Sequence, residues 1–218
     1  MESDYKKIAA QLRKPEGKEG VETGNLMNDG NKLINLYTIE NLPLKANDSV
    51  MEVGMGNGYF VKDLFKKEPT ITYCGCDFSE IMVDESLKNN PELIHAKKAE
   101  FNLASVTALP YQNEFFDVLF TVNTIYFWPD MDKAFNEIRR VLKPGGKLVL
   151  SLRPKSVMKD YPFVKYGFQM FENDELQNIL QLNGFSDIVF FEIDEPSTQE
   201  FTEEILEIKT LIVSAKKA

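Results

Sequence analysis

Short apolar runs alternate with amphipathic segments along most of the chain. Apolar runs at 49–53, 71–76, 101–103, 116–122 and 147–152 read as strands, and 116–122 is dense enough for a central strand covered on both faces. Helical spacing follows at 59–67, from Ser79 as N-cap to about 89, at 131–142 and at 173–182. Asn90-Pro91 opens a further short helix, and 160–170 is expected to hold another. Two late strands, 187–193 and 205–214, are joined by the polar loop 194–200 and are expected to form a hairpin at one sheet edge. Strands separated by helices predict an α/β fold with a mostly parallel sheet.

The start of the chain reads differently. Residues 4–12 form a short helix, 13–20 a loop, and 29–42 a helix with Leu33, Leu36, Tyr37 and Leu42 on its apolar side. Residues 1–44 are expected to act as a helical arm or lid on a domain spanning 45–218, with 153–171 as a second cap.

With 218 residues, 43% of them hydrophobic, the chain holds one sizeable core. A net charge of −9 argues against nucleic acid or an anionic membrane as partner. No run approaches membrane-spanning length and no signal pattern opens the chain, so a cytoplasmic protein is expected. Cys74 and Cys76 are expected to point to opposite faces of their strand and not to bridge. No cysteine–histidine spacing suggests a metal site, and the sole histidine, His95, reads as a surface or packing residue.

Candidate chemistry gathers after the first strand. Gly54, Gly56 and Gly58 make a strand–turn–helix where a nucleotide-like ligand would lie against exposed backbone N–H groups. Asp77 ends the second strand, positioned to accept from ribose hydroxyls. The third glycine is wrongly placed for the G-x-G-x-x-G nicotinamide fingerprint, and no Gly-Lys-Ser/Thr follows as in a P-loop.

Several motifs together resemble the class I S-adenosylmethionine-dependent methyltransferases, most closely the ubiquinone/menaquinone-biosynthesis-like group acting on small molecules. They are Glu52-Val53-Gly54-Met55-Gly56-Asn57-Gly58, Gly75-Cys76-Asp77-Phe78-Ser79, Ala108-Leu109-Pro110-Tyr111, Asn123-Thr124-Ile125-Tyr126-Phe127-Trp128 and Arg139-Arg140-Val141-Leu142-Lys143-Pro144-Gly145-Gly146. The resemblance implies a Rossmann-like sandwich with strand order 3-2-1-4-5-7-6. It implies S-adenosyl-L-methionine held by Glu52, Gly54, Gly56, Asn57, Gly58 and Asp77, with Phe78, Met82, Ser105 and Val106 around the adenine and Asn123 and Thr124 at the methionyl end. Ser105 stands where the family often has an acid. Tyr126 and Trp128 are candidates for the substrate wall, joined by Tyr37, Arg153 and Tyr166. No catalytic base is assigned, because a sulfonium methyl is already activated and the protein mainly aligns the reactants. Methylation of a protein or peptide, and a noncatalytic cofactor sensor, are the alternatives.

Overall fold

The computed structural model describes residues 2–196 and 208–218. Three helices come first: α1 (Glu2–Arg13), α2 (Gly17–Gly30) and α3 (Lys32–Asn41). The alternating part follows as β1 (Ser49–Val53), α4 (Val61–Lys67), β2 (Thr72–Asp77), α5 (Glu80–Asn89), α6 (Pro91–His95), β3 (Ala99–Leu103), β4 (Phe116–Val122), α7 (Met131–Val141) and β5 (Leu142–Leu152). The chain closes with α8 (Lys155–Met158), α9 (Asn173–Leu182), β6 (Phe185–Glu195) and β7 (Ile208–Lys217).

The seven strands form one sheet in the order β3-β2-β1-β4-β5-β7-β6. The first five are parallel, and β7 runs antiparallel to both β5 and β6. This is the order expected from the resemblance, with the expected edge hairpin. The proposed loop 194–200 lies in part outside the described residues; Asp194 and Glu195 extend β6 instead.

Period-two alternation splits the core into two layers. Val50, Tyr73, Val118, Phe120 and Val149 point to the face covered by α3, α4 and α5. Met51, Leu119, Leu148 and Leu150 point to the opposite face, covered by α7 and α9. Cys74 and Cys76 both lie in this second layer, so the expectation of opposite faces is corrected. Residues two apart on a strand share a face; each thiol is nonetheless free and buried.

Local signals set the helix ends. Ser79 Oγ accepts from Met82 N at 3.3 Å and Asp130 Oδ1 from Lys133 N at 3.0 Å, which caps α5 and α7. Three expectations shift. The loop at 13–20 shrinks, because α2 starts at Gly17. The third helix buries Ile34, Thr38 and Ile39 rather than Leu33, Leu36 and Tyr37. Residues 161–170 are turns and irregular chain rather than helix, and the only helix of the crossover is α8. Among the described residues no helix is long and apolar enough to cross a membrane.

Candidate active site

A cavity of about 240 Å³ lies between the carboxyl ends of β1, β2 and β4 and a roof made by α1, α2 and the start of α3. Its floor is the glycine turn. Gly54 has φ +75, and a Cβ there would sit 2.3 Å from Thr124 Cγ2. Only glycine lets this turn pass so close to the loop after β4.

The turn is not an anion nest. Gly54 N donates to Cys76 O at 2.7 Å, Met55 N to the same carbonyl at 3.2 Å, and Gly56 N to Asp77 Oδ2 at 3.1 Å. The expectation of exposed N–H groups is therefore corrected at these three positions. The N–H groups lock the turn onto the end of β2, and that lock places Asp77. Its other oxygen accepts from Ser79 N at 2.9 Å. Burial raises the Asp77 pKa, and the N–H donors of Ser79, Gly56 and Phe78 oppose the rise. Each carboxylate oxygen keeps accepting capacity toward the cavity.

Glu52 is the second acid on the cavity. It is buried, and Tyr73 Oη donates to its Oε2 at 2.7 Å. Loss of water pushes its pKa up to about 7, the Tyr73 hydrogen bond pulls it down, and the charge of Asp77 adds to the rise. Such an acid is short of a positive partner.

Phe78, Met82, Ser105 and Val106 line the cavity beyond Asp77. The hydroxyl of Ser105 is engaged by Thr107, with 2.9 Å between the two hydroxyl oxygens. Asn57 lines the floor, whereas Gly58 packs behind it against Ser86 and Asn90.

Asn123 and Thr124 also reach the cavity. Asn123 has φ +56, a left-handed conformation that asparagine tolerates better than most residues. Its Nδ2 donates to Asn31 Oδ1 at 3.0 Å, tying the end of β4 to the α2–α3 junction. Thr124 Oγ1 accepts from Trp128 Nε1 at 3.1 Å and is bonded to Thr121, whose hydroxyl donates to Val53 O at 2.7 Å. The indole of Trp128 is thus held against the cavity by a polar chain rooted in β1.

The remaining expected substrate residues lie elsewhere. Tyr126 is buried beneath the cavity, its hydroxyl donating to Asn123 Oδ1 at 3.1 Å and accepting from Arg153 N. It is a support for Asn123, not a wall. Arg153 is also buried, in a bidentate pair with Glu195 and a 3.1 Å hydrogen bond to Thr210 Oγ1. It joins β5 to the hairpin. Tyr166 Oη donates to Glu2 at the start of α1 at 3.0 Å, and Tyr37 packs at the margin of the α3-side core. His95 ends α6, exposed and away from the cavity. Sequence reasoning missed Phe60, Phe127, Gly24 and Asn35, which do line the cavity. Gly24 carried a signal: a glycine inside a helix marks close approach, and a Cβ there would meet Met82 Cε at 2.9 Å.

Residues 51–150 match the methyltransferase domain family. YdaC, a Bacillus subtilis methyltransferase, is 33% identical over 132 residues, covering 61% of this chain and 71% of that protein. Phosphoethanolamine N-methyltransferase 1 of Zea mays is 30% identical over 158 residues, 69% of this chain but 30% of that protein. The chain spans less than half the length of several other curated relatives it matches. The fold superposes on a Haloferax volcanii methyltransferase solved with the Trm112 methyltransferase activator, with a TM-score of 0.73, 19% identity and coverage of 98% and 97% of the two chains. At that identity the superposition speaks for the fold alone. The identity to YdaC over most of that protein's length speaks for more: this chain belongs to the class I S-adenosylmethionine-dependent methyltransferases.

Proposed function

We infer that the protein transfers a methyl group from S-adenosyl-L-methionine to a small-molecule acceptor in the cavity under α1 and α2. The observation that carries this reading is that Glu52, Asp77 and Trp128 meet on one roofed cavity. The residues fit the cofactor. Asp77 has free lone pairs for two neighbouring ribose hydroxyls, and Glu52 is a buried acid suited to an ammonium group. Phe78, Met82, Ser105 and Val106 are placed for an adenine ring, and Asn123 and Thr124 for the methionyl end.

Held by Glu52 and Asp77, the sulfonium compound would supply an activated methyl group to the acceptor's nucleophilic atom, leaving as the neutral thioether S-adenosylhomocysteine. The chain's own share is alignment and exclusion of water. The rim supports this, because Trp128 and Phe127 present apolar rings beside the polar floor. No residue is assigned as a base. The small cavity beneath a helical roof favours a small acceptor over a peptide segment. So does the relative from Zea mays, whose name gives phosphoethanolamine as its acceptor. The nearer resemblance to the ubiquinone/menaquinone-biosynthesis-like group rests on the motif residues alone.

Calorimetry with S-adenosylmethionine, S-adenosylhomocysteine and NAD tests the reading. Binding of both sulfur compounds and not of NAD is expected. If neither sulfur compound binds at high micromolar concentration, the reading fails.

A further inference from the structure

We propose that Arg13 is the oxyanion receptor of this cavity, its guanidinium taking a carboxylate or phosphate group of a bound ligand. The proposal rests on the cavity being the methyl-transfer site. Among the described residues lining it, the charged side chains are Glu52, Asp77 and Arg13, so Arg13 is the one cation. The usual alternative, a glycine turn with free N–H groups, is closed at four positions. Gly54, Met55 and Gly56 give theirs to Cys76 O and Asp77, and Gly58 N donates to Met55 O at 3.2 Å. With four of the turn's amides spent on the fold, the positive charge left to meet a ligand anion is the Arg13 guanidinium in the roof.

Arg13 is free to do so. It makes no hydrogen bond or ion pair with any described residue. Its basic neighbours are engaged: Lys14 with Glu16 and Lys7 with Glu19, each at 2.6 Å. The backbone that carries Arg13 is held on several sides. Gln11 Nε2 donates to Glu16 O at 3.2 Å, and its Oε1 accepts from Glu16 N at 3.0 Å. Ser79 Oγ donates to Pro15 O at 2.6 Å, pinning the turn to the start of α5. Gly20 lets α2 press on Pro15, where a Cβ would come within 2.9 Å of the Pro15 carbonyl carbon. This much local structure fixes the end of α1 and the turn after it, whose charged contribution to the cavity is one guanidinium, the group best shaped for bidentate contact with an oxyanion.

Two ligands could supply the oxyanion: the cofactor, through its carboxylate, or the acceptor. Titration of the full chain with S-adenosylhomocysteine and with decarboxylated S-adenosylmethionine, on wild type, Arg13→Gln and Arg13→Lys, separates them. Inorganic phosphate and acetate are titrated in parallel into the free and the S-adenosylhomocysteine-saturated protein. If the cofactor's carboxylate is the ligand, Arg13→Gln weakens S-adenosylhomocysteine by about tenfold or more and leaves the decarboxylated compound within about twofold, with partial recovery in Arg13→Lys. If the acceptor's group is the ligand, both compounds bind as in wild type, and phosphate or acetate binding drops by about tenfold in Arg13→Gln. Equal binding of every probe by wild type and Arg13→Gln overturns the proposal. Failure of wild type to bind either sulfur compound sinks the methyl-transfer reading instead, and the anion titrations of the free protein still decide on Arg13. A thermal melt of Arg13→Gln unchanged from wild type is expected, since the side chain has no described partner to lose.

Discussion

The amide of Gly56 donates to Asp77 Oδ2 across 3.1 Å, binding the glycine turn after β1 to the acid at the end of β2. The two motifs, about twenty residues apart in the chain, are one unit. The turn orients the carboxylate, and the carboxylate holds the turn.

Asp77→Ala removes the acceptor of Gly56 N and Ser79 N as well as the proposed ribose contact. S-adenosylhomocysteine binding is expected to weaken by about tenfold to a hundredfold, with a stability loss of about 1–3 kcal/mol. His95→Ala, on an exposed helix end, should change neither. Calorimetry and thermal melts of the two variants make the comparison, and equal small effects would reject Asp77 as a contact.

Glu52 predicts a pH signature. Its folded pKa is about 7 against an ordinary value of 4.5, so the fold favours the protonated acid. Its contribution to stability is fully present below pH 4.5 and is lost as pH rises through about 7. Melts of wild type and Glu52→Gln between pH 5 and pH 8 should therefore diverge, with wild type falling relative to the variant as pH rises. A cationic ligand acts in the other direction. S-adenosylmethionine should bind wild type more tightly as Glu52 ionises, and this pH dependence should vanish in Glu52→Gln. Parallel curves for the two proteins would contradict the assignment.

Gly54→Ala meets two obstacles, a positive φ and the methyl group of Thr124 at 2.3 Å. The left-handed conformation alone costs about 1–2 kcal/mol, and the clash adds to it. Thr124→Ser removes Cγ2 and keeps the hydroxyl that receives Trp128. The double variant should recover the steric share and not the conformational one, read as a partial return of the melting temperature. No recovery would place the clash elsewhere.

Arg153→Met strands a buried Glu195 carboxylate. Breaking one side of such a pair costs about 3–5 kcal/mol, whereas removing both charges is far milder. Arg153→Met should therefore melt well below wild type, and Arg153→Met with Glu195→Leu should recover much of the difference. Below its melting temperature Arg153→Met should bind S-adenosylhomocysteine like wild type, because the guanidinium serves the hairpin. A selective loss of ligand binding at full stability would restore it to the site.

Trp128 is the sole tryptophan and lines the cavity. Its emission should change on titration with S-adenosylhomocysteine and stay constant with NAD. A response absent at saturation measured by calorimetry would move the ligand away from this wall.

Much of this was legible along the chain because it is local. Ser79 caps α5 by accepting from Met82 N three residues on, and the strand β4 is a densely apolar run. The glycine spacing and Asp77 marked the floor of the cavity, since strand ends in a parallel sheet meet on one rim, and the family resemblance added Glu52. Other placements depend on partners far away in sequence. Arg153 read as a substrate contact until Glu195 and Thr210, 42 and 57 residues on, enclosed it. The N–H groups of the turn read as free until Cys76 O and Asp77 took them. The roof read only as an arm or lid, because its few apolar residues form no core alone; Pro15 and Gly24 find their partners, Ser79 and Met82, only across the tertiary interface. By itself the sequence determined the strands of the sheet, most of the helices between them and the placing of Asp77 at a strand end, through period, caps and turns. Tertiary structure alone decided which charges are spent on the fold and which, like Arg13, stay open to a ligand, because that depends on contacts between segments the chain keeps apart.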